Sequence, residues 1–181
     1  LALSPAIDRE VLGMSQEEAI KWQRHTMKEF GVWASKKDAC DALGINNFNA
    51  MQQLMMKSWL LSGDVFALIK RYDTTPLKPY ALRLHIIEAD RICTPIAYTN
   101  GTMLMTEGTI PEGKPGAGHK IYDGVEVDEN GMIVAYHIAS EYPQQMLLGK
   151  ITWTRVPAYG AKTGQPNILH VMESERPDQY R

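Results

Sequence analysis

The residues able to do chemistry in this chain are few and scattered. Five histidines stand at His25, His85, His119, His137 and His170. No two of them fall at the i, i+4 spacing that puts a pair of imidazoles on one helix face, so a helical zinc site is not written here. His85, His137 and His170 fall in segments that read as strands, where convergence is a matter of tertiary structure; their expected role is structural, with no metal ligand among them. Two cysteines, Cys40 and Cys93, stand far apart and form no C-x-x-C pair. Cys40 with a distant histidine is a conceivable nucleophile and Cys93, after a strand, reads as a small buried hydrophobe, and no Gly-x-Ser-x-Gly elbow or cysteine-protease signature accompanies them. The acidic group Asp123, Glu126, Asp128 and Glu129 lacks the register of a calcium loop. In an extended strand Glu126 and Asp128 share one face and Val125 and Val127 the other, so a solvated strand face followed by a turn is expected. Gly113–Lys120 and Gly160–Thr163 are glycine-rich, but neither sets Gly-Lys before Ser or Thr, and both read as turns rather than phosphate loops. No catalytic residue, cofactor site or metal site is assigned.

The elements that must position these residues follow from patterning. The chain has 181 residues with 44% hydrophobic and 22% charged side chains, ordinary globular usage that argues against disorder. Its net charge of -2 excludes a binder whose affinity rests on overall basicity. Residues 1–90 carry 11 basic and 11 acidic side chains, and residues 91–181 carry 8 and 10, so neither half is a charged tail. Two cysteines are no disulfide framework, which points to a reducing compartment. No apolar run reaches the roughly 18 residues of a membrane span. The chain starts at Leu1 and stops at Arg181, and a fragment of a longer protein is expected.

Residues 1–14 read as an irregular lead-in. Ser15-Gln16-Glu17-Glu18 reads as a capping box opening a helix over about 16–33, with Ile20, Met27 and Phe30 on its apolar face beside Trp22 and Trp33. Lys21, Arg24 and Lys28 lie on the opposite face. Asn46 or Asn47 caps a second helix over about 48–61, striped by Phe48, Met51, Met55 and Trp59 and ended by Gly63. Core packing is the expected role of the methionines, including Met103 and Met105 in the later loop. Beyond Gly63 the period becomes extended. Strands are expected at 64–70, 82–87, 121–127, 132–140, 151–156 and 168–172, with a proline turn at 74–79 and a long loop or weak strands over 94–120. Asn130-Gly131 is the strongest hairpin signal. Two N-terminal helices followed by a mainly antiparallel β region of about six strands make the fold class α+β.

Taken in order, several short segments resemble a known family. They are Cys40-Asp41-Ala42, Asn47-Phe48, Gly63-Asp64-Val65-Phe66, Ile86–Ile92, Asp123–Asp128, Ala135–Ile138, Arg155–Ala158, Ile168–Val171 and Glu175–Arg181. This series, over about 15–181, is similar to the N-terminal half of lambda-type phage portal proteins. The positions that carry the resemblance are Gly63, Asp64, Asp90, Arg91, Asp123, Gly124, Val125, Glu126, His170, Arg176, Pro177 and Gln179; the family often has glycine where this chain has Asp178. The resemblance implies structural roles for them. Asp90-Arg91 would form an ion pair at a strand end, Gly124 would permit a bulge or a close backbone approach, and Arg176-Pro177 would stop the last strand and set the angle of the chain beyond it.

The resemblance also implies a protein without enzymatic activity or cofactor. It would be a subunit of a ring of about twelve copies at one capsid vertex. Its partners would be its own copies, the terminase, the capsid protein, head–tail connector proteins and the double-stranded DNA passing through the channel, with no membrane. Its place would be the virion, and the bacterial host cytoplasm during assembly. Residues 15–181 would form a wing-like portion, helical over 15–62 and β-rich over 63–175, without stem, clip or crown. Two other readings stand beside it: a small hydrolase built on Cys40 or Cys93 with a histidine, and a nonspecific nucleic-acid-binding module using Lys21, Arg24 and Lys28.

Overall fold

The computed structural model describes residues 4–99, 106–143 and 151–181. The helices are α1 (Gln16–Ser35), α2 (Lys37–Cys40) and α3 (Phe48–Ser62). The strands are β1 (Asp64–Arg71), β2 (Leu82–Ile87), β3 (Glu107–Thr109), β4 (Lys120–Tyr122), β5 (Val125–Val127), β6 (Ile133–Ala139), β7 (Trp153–Pro157) and β8 (Ile168–Met172). The α+β class and the order of helices before strands are as expected. The described strands number eight rather than six, in two sheets of order β2-β1-β8 and β3-β4-β5-β6-β7. Met103 and Met105 lie outside the described residues.

The chain divides into two compact units: residues up to Leu54 with Lys70–His85, and Met55–Ile69 with Ile86–Arg181. The first holds α1, α2 and the start of α3. Ser15 caps α1 as its spacing predicts: Glu18 N–H donates to the Ser15 hydroxyl at 3.3 Å, and the Glu18 carboxylate accepts from Ser15 N–H at 2.9 Å. Asn47 caps α3 by accepting from Ala50 N–H at 2.9 Å. Phe30, Trp33 and Phe48 form an aromatic cluster with centroids 5.1 to 5.6 Å apart. Trp33 satisfies its indole by donating to Leu82 O at 2.9 Å. The rest of the expected apolar face of α1 is not core, since Ile20, Trp22 and Met27 are exposed.

The second unit holds the β core. Phe66, Ile87, Ile92, Val125, Tyr136, Ile138, Ala158 and Ile168 form one buried cluster drawn from both sheets. Gly63 ends α3 at φ +85°, with its N–H donating to Trp59 O at 2.8 Å, and β1 starts at the next residue. β8 returns antiparallel to β1 with Phe66 opposite His170.

The single strand expected over 121–127 is instead two. Asp123 (φ +45°) and Gly124 (φ +81°) make a two-residue turn between β4 and β5, the positive-φ pair that Asp-Gly favours in tight hairpins. Of the long loop or weak strands expected over 94–120, the described residues include one short strand, β3, which pairs with β4. The glycine-rich segment after it closes on itself, with Ile110 N–H donating to His119 O and Gly118 N–H to Ile110 O. The Ala117, Gly118 and His119 amides are thereby used within the turn.

Candidate functional site

Two buried carboxylates organise the second unit, and the side chains that could do chemistry gather around them. The first is Glu126. It lies in β5, the central strand of the five, with its side chain fully buried. The solvated face expected for it is therefore wrong. Its strand is covered on both faces, as the burial of Val125, Glu126 and Val127 alike shows. On the face that carries Glu126 the neighbouring strands bring matched partners. His137 of β6 stands opposite Arg155 of β7. Arg155 donates to both carboxylate oxygens, at 2.6 and 2.8 Å. His137 Nε2 lies 3.1 Å from Oε2, and His119 Nδ1 lies 2.8 Å from Oε1.

Burial raises the carboxyl pKa, and hydrogen bonds from His137, Arg155 and His119 outweigh it, holding the group at about 2. A forked Arg–carboxylate pair with both oxygens further bonded compensates the desolvation of the charge. Glu126 also fits its surroundings sterically. A Cβ on Gly116 would collide with its Oε1, so only glycine lets the loop close over it. With its oxygens engaged by Arg155 and two imidazoles, Glu126 is a structural anchor, and among the described residues no cluster suits a metal ion.

The second carboxylate is Asp64, at the junction of α3 and β1. His170 Nε2 lies 3.1 Å from its Oδ2, and Arg181 donates from Nε to the same oxygen at 2.9 Å. Burial raises the Asp64 pKa, but hydrogen bonds from His170 and Arg181 prevail and hold the carboxyl below its usual range. The His170 ring stacks on Phe66 at 4.1 Å, so a core aromatic orients the imidazole.

Gly124 is the close approach expected of it: a Cβ there would stand 2.5 Å from Cys93 N and 2.8 Å from Ile92 C. The exposed Asp123 forms the β4–β5 turn with Gly124, and Val125 is core. Asp90 and Arg91 lie in a 3-10 turn (Ala89–Arg91). Arg91 donates to Ala139 O at 2.9 and 3.1 Å and to Ser140 O at 3.2 Å, so its guanidinium ties the turn to the end of β6 rather than to Asp90. β8 ends at Met172, four residues before Arg176, so Arg176-Pro177 is not what stops it. Both are exposed in a turn, while Gln179 accepts from Glu175 N–H at 2.9 Å.

Sequence reasoning missed Arg155, His119, His137 and Arg181 as partners of the two carboxylates. Only strand pairing brings them together, and one chain's spacing does not reveal that pairing. Neither cysteine suits a nucleophile. Both are buried, and burial pushes both thiols up in pKa, away from the thiolate. Cys40 faces the carbonyls of Ala34 and Asn46, and Cys93 accepts from the Trp153 indole at 3.3 Å. Lys21, Arg24 and Lys28 are exposed on α1. Among the described residues no helix is long and apolar enough to cross a membrane.

Comparison with known families matches residues 1–181, the whole chain, to the model of the phage portal protein, lambda family. No curated protein matches the sequence.

Proposed function

The chain belongs to the lambda family of phage portal proteins, and from that membership and the geometry above we propose that it is the wing-side portion of a portal subunit. In this reading the subunits close a ring of about twelve at one capsid vertex. The ring passes double-stranded DNA, receives the terminase, contacts the capsid protein and joins the connector proteins of the tail. It resides in the virion and assembles in the bacterial host cytoplasm. Stem, clip and crown lie outside residues 15–181. The role is structural, and none of the described residues is assigned to catalysis.

The family match over the full chain carries this reading. Two features support it. Large apolar side chains stand in water at the end of α3, where Leu60 and Leu61 are 68% and 86% exposed, the kind of surface that assembly covers. The net charge of -2 suits a conduit that DNA must slide through rather than bind.

Light scattering with size exclusion tests it on two versions of the protein, this chain and one extended past Arg181 into the full reading frame. A closed ring for the extended protein, with a small species for the short one, is the expected result. A full-length protein that stays monomeric at high concentration and with DNA-packaging partners present overturns the assembly reading.

A further inference from the structure

We propose that Arg181 is a positioning residue that latches the 173–181 segment to the β core and so sets the direction in which the chain leaves the second unit. The guanidinium has five N–H donors, and each has an acceptor. Nε donates to Asp64 Oδ2 at 2.9 Å. Nη1 donates to Ile92 O at 2.5 Å and to Asp123 O at 2.8 Å. Nη2 donates to Ala89 O at 2.9 Å and to Asp64 Oδ1 at 3.4 Å. One side chain thus joins the start of β1, the 3-10 turn, the residue after it and the β4–β5 turn.

The site is built to receive it. Asp64 is buried, and its Oδ2, which Arg181 Nε reaches, also lies 3.1 Å from His170 Nε2. Gly124 lets the β4–β5 turn approach Ile92 and Cys93 closely enough for the Ile92 and Asp123 carbonyls to reach one guanidinium. The Arg181 Cζ lies 5.5 Å from the Phe66 ring centroid, so the charge sits over a core aromatic. Tyr180, just before it, stacks on Tyr122 at 5.3 Å and 11°. The intervening residues have weaker ties: Glu173, Ser174, Glu175, Arg176 and Pro177 are all exposed. The direction of the chain is therefore set at Tyr180-Arg181 and not at Arg176-Pro177. Lysine cannot substitute, since an ammonium has three donors and no fork to span two carboxylate oxygens and three carbonyls.

For assembly, this inference rests on the portal reading; the local latch does not. The test uses the full-length protein, with Arg181→Met, Arg181→Lys and, as a control in the same segment, Gln179→Ala. Limited cleavage by a glutamate-specific protease after Glu173 and Glu175 reads the latch, and native mass spectrometry reads the ring. In Arg181→Met, cleavage there should speed up at least tenfold while the rest of the chain stays as resistant as in wild type, and the ring should become heterogeneous or fail to close. Arg181→Lys, which keeps the charge and the stem, should fold and show the same pattern to a smaller degree. Gln179→Ala should leave the ring intact. Unchanged cleavage after Glu173 and Glu175 in both arginine variants, or a rise shared equally by the rest of the chain, overturns the latch. A wild-type ring distribution in Arg181→Met overturns its role in assembly. A wild-type protein that forms no ring instead removes the portal reading, and the cleavage result still decides the latch.

Discussion

At the scale of single residues, Glu126 shows how a charge is held in a sheet interior and what that does to stability. Its folded pKa of about 2 lies below the ordinary value of 4.5. A carboxylate depressed on folding adds stability that is fully present above its unfolded pKa and is lost as pH falls through the folded one. The window is therefore about pH 4.5 down to 2, and the difference of about 2.5 units corresponds to roughly 3 kcal/mol. Glu126→Gln should cost about that much at pH 7 in urea unfolding, because Arg155 and the two imidazoles then face a neutral amide. The gap between variant and wild type should narrow steadily below pH 4.5. A gap independent of pH would show that packing, not charge, is what the substitution removes. Nothing in Val125-Glu126-Val127 announces this role. Alternation places Glu126 opposite aliphatic neighbours, and the natural inference is water on its side. The partners come from β6, β7 and the loop before β4, so the signal lies in the pairing of strands.

At the scale of elements, what is legible is what is encoded locally. The capping box of α1, the Asn47 cap and Gly63 terminator of α3, and the turn at Asn130-Gly131 each follow from a few adjacent residues. The break between β4 and β5 is local too, but the apolar content of Ile121–Val127 reads as one continuous strand and hides it. Asp-Gly is the same kind of hairpin signal as Asn-Gly, and here both of its residues take positive φ, whereas at Asn130-Gly131 only the glycine does. β3 has three residues, and its pairing with β4 defines it; so short a segment carries no usable period. These turns also differ in what they tolerate. Gly124→Ala combines a positive φ with a Cβ 2.5 Å from backbone, and nothing nearby is flexible enough to yield. It should destabilise by about 3 kcal/mol or more, the sum of backbone strain and overpacking. Gly118→Ala has a similar φ of +86° but no atom within 4 Å of the new Cβ, so only the conformational cost of roughly 1 kcal/mol applies. Thermal unfolding of the two variants side by side checks this, and equal losses would refute the close-approach argument.

At the scale of the whole molecule, periodicity reports that a face is apolar without reporting what covers it. The stripe on α1 reads as core, yet Ile20 and Met27 are 39% and 49% exposed, and Ala19 and Trp33 are the buried residues of that helix. If such faces are reserved for contacts between copies, replacing them should affect association and spare the fold. Ile20→Gln with Met27→Gln should change unfolding free energy by no more than about 0.5 kcal/mol each, as substitutions on an open surface do. The same pair should weaken self-association of the full-length protein in sedimentation. Salt separates the two forces that could drive it. Contacts between opposite charges fade between about 0.1 and 1 M salt as the screening length drops from about 10 to 3 Å, whereas apolar burial does not. With a net charge of only -2, long-range attraction between copies has little to work with. Association should therefore persist in high salt and fall with the two glutamine replacements. Association that vanishes in salt and ignores the replacements would place the driving force in charged pairs, and the exposed stripe of α1 would then be an ordinary scatter of surface apolar residues.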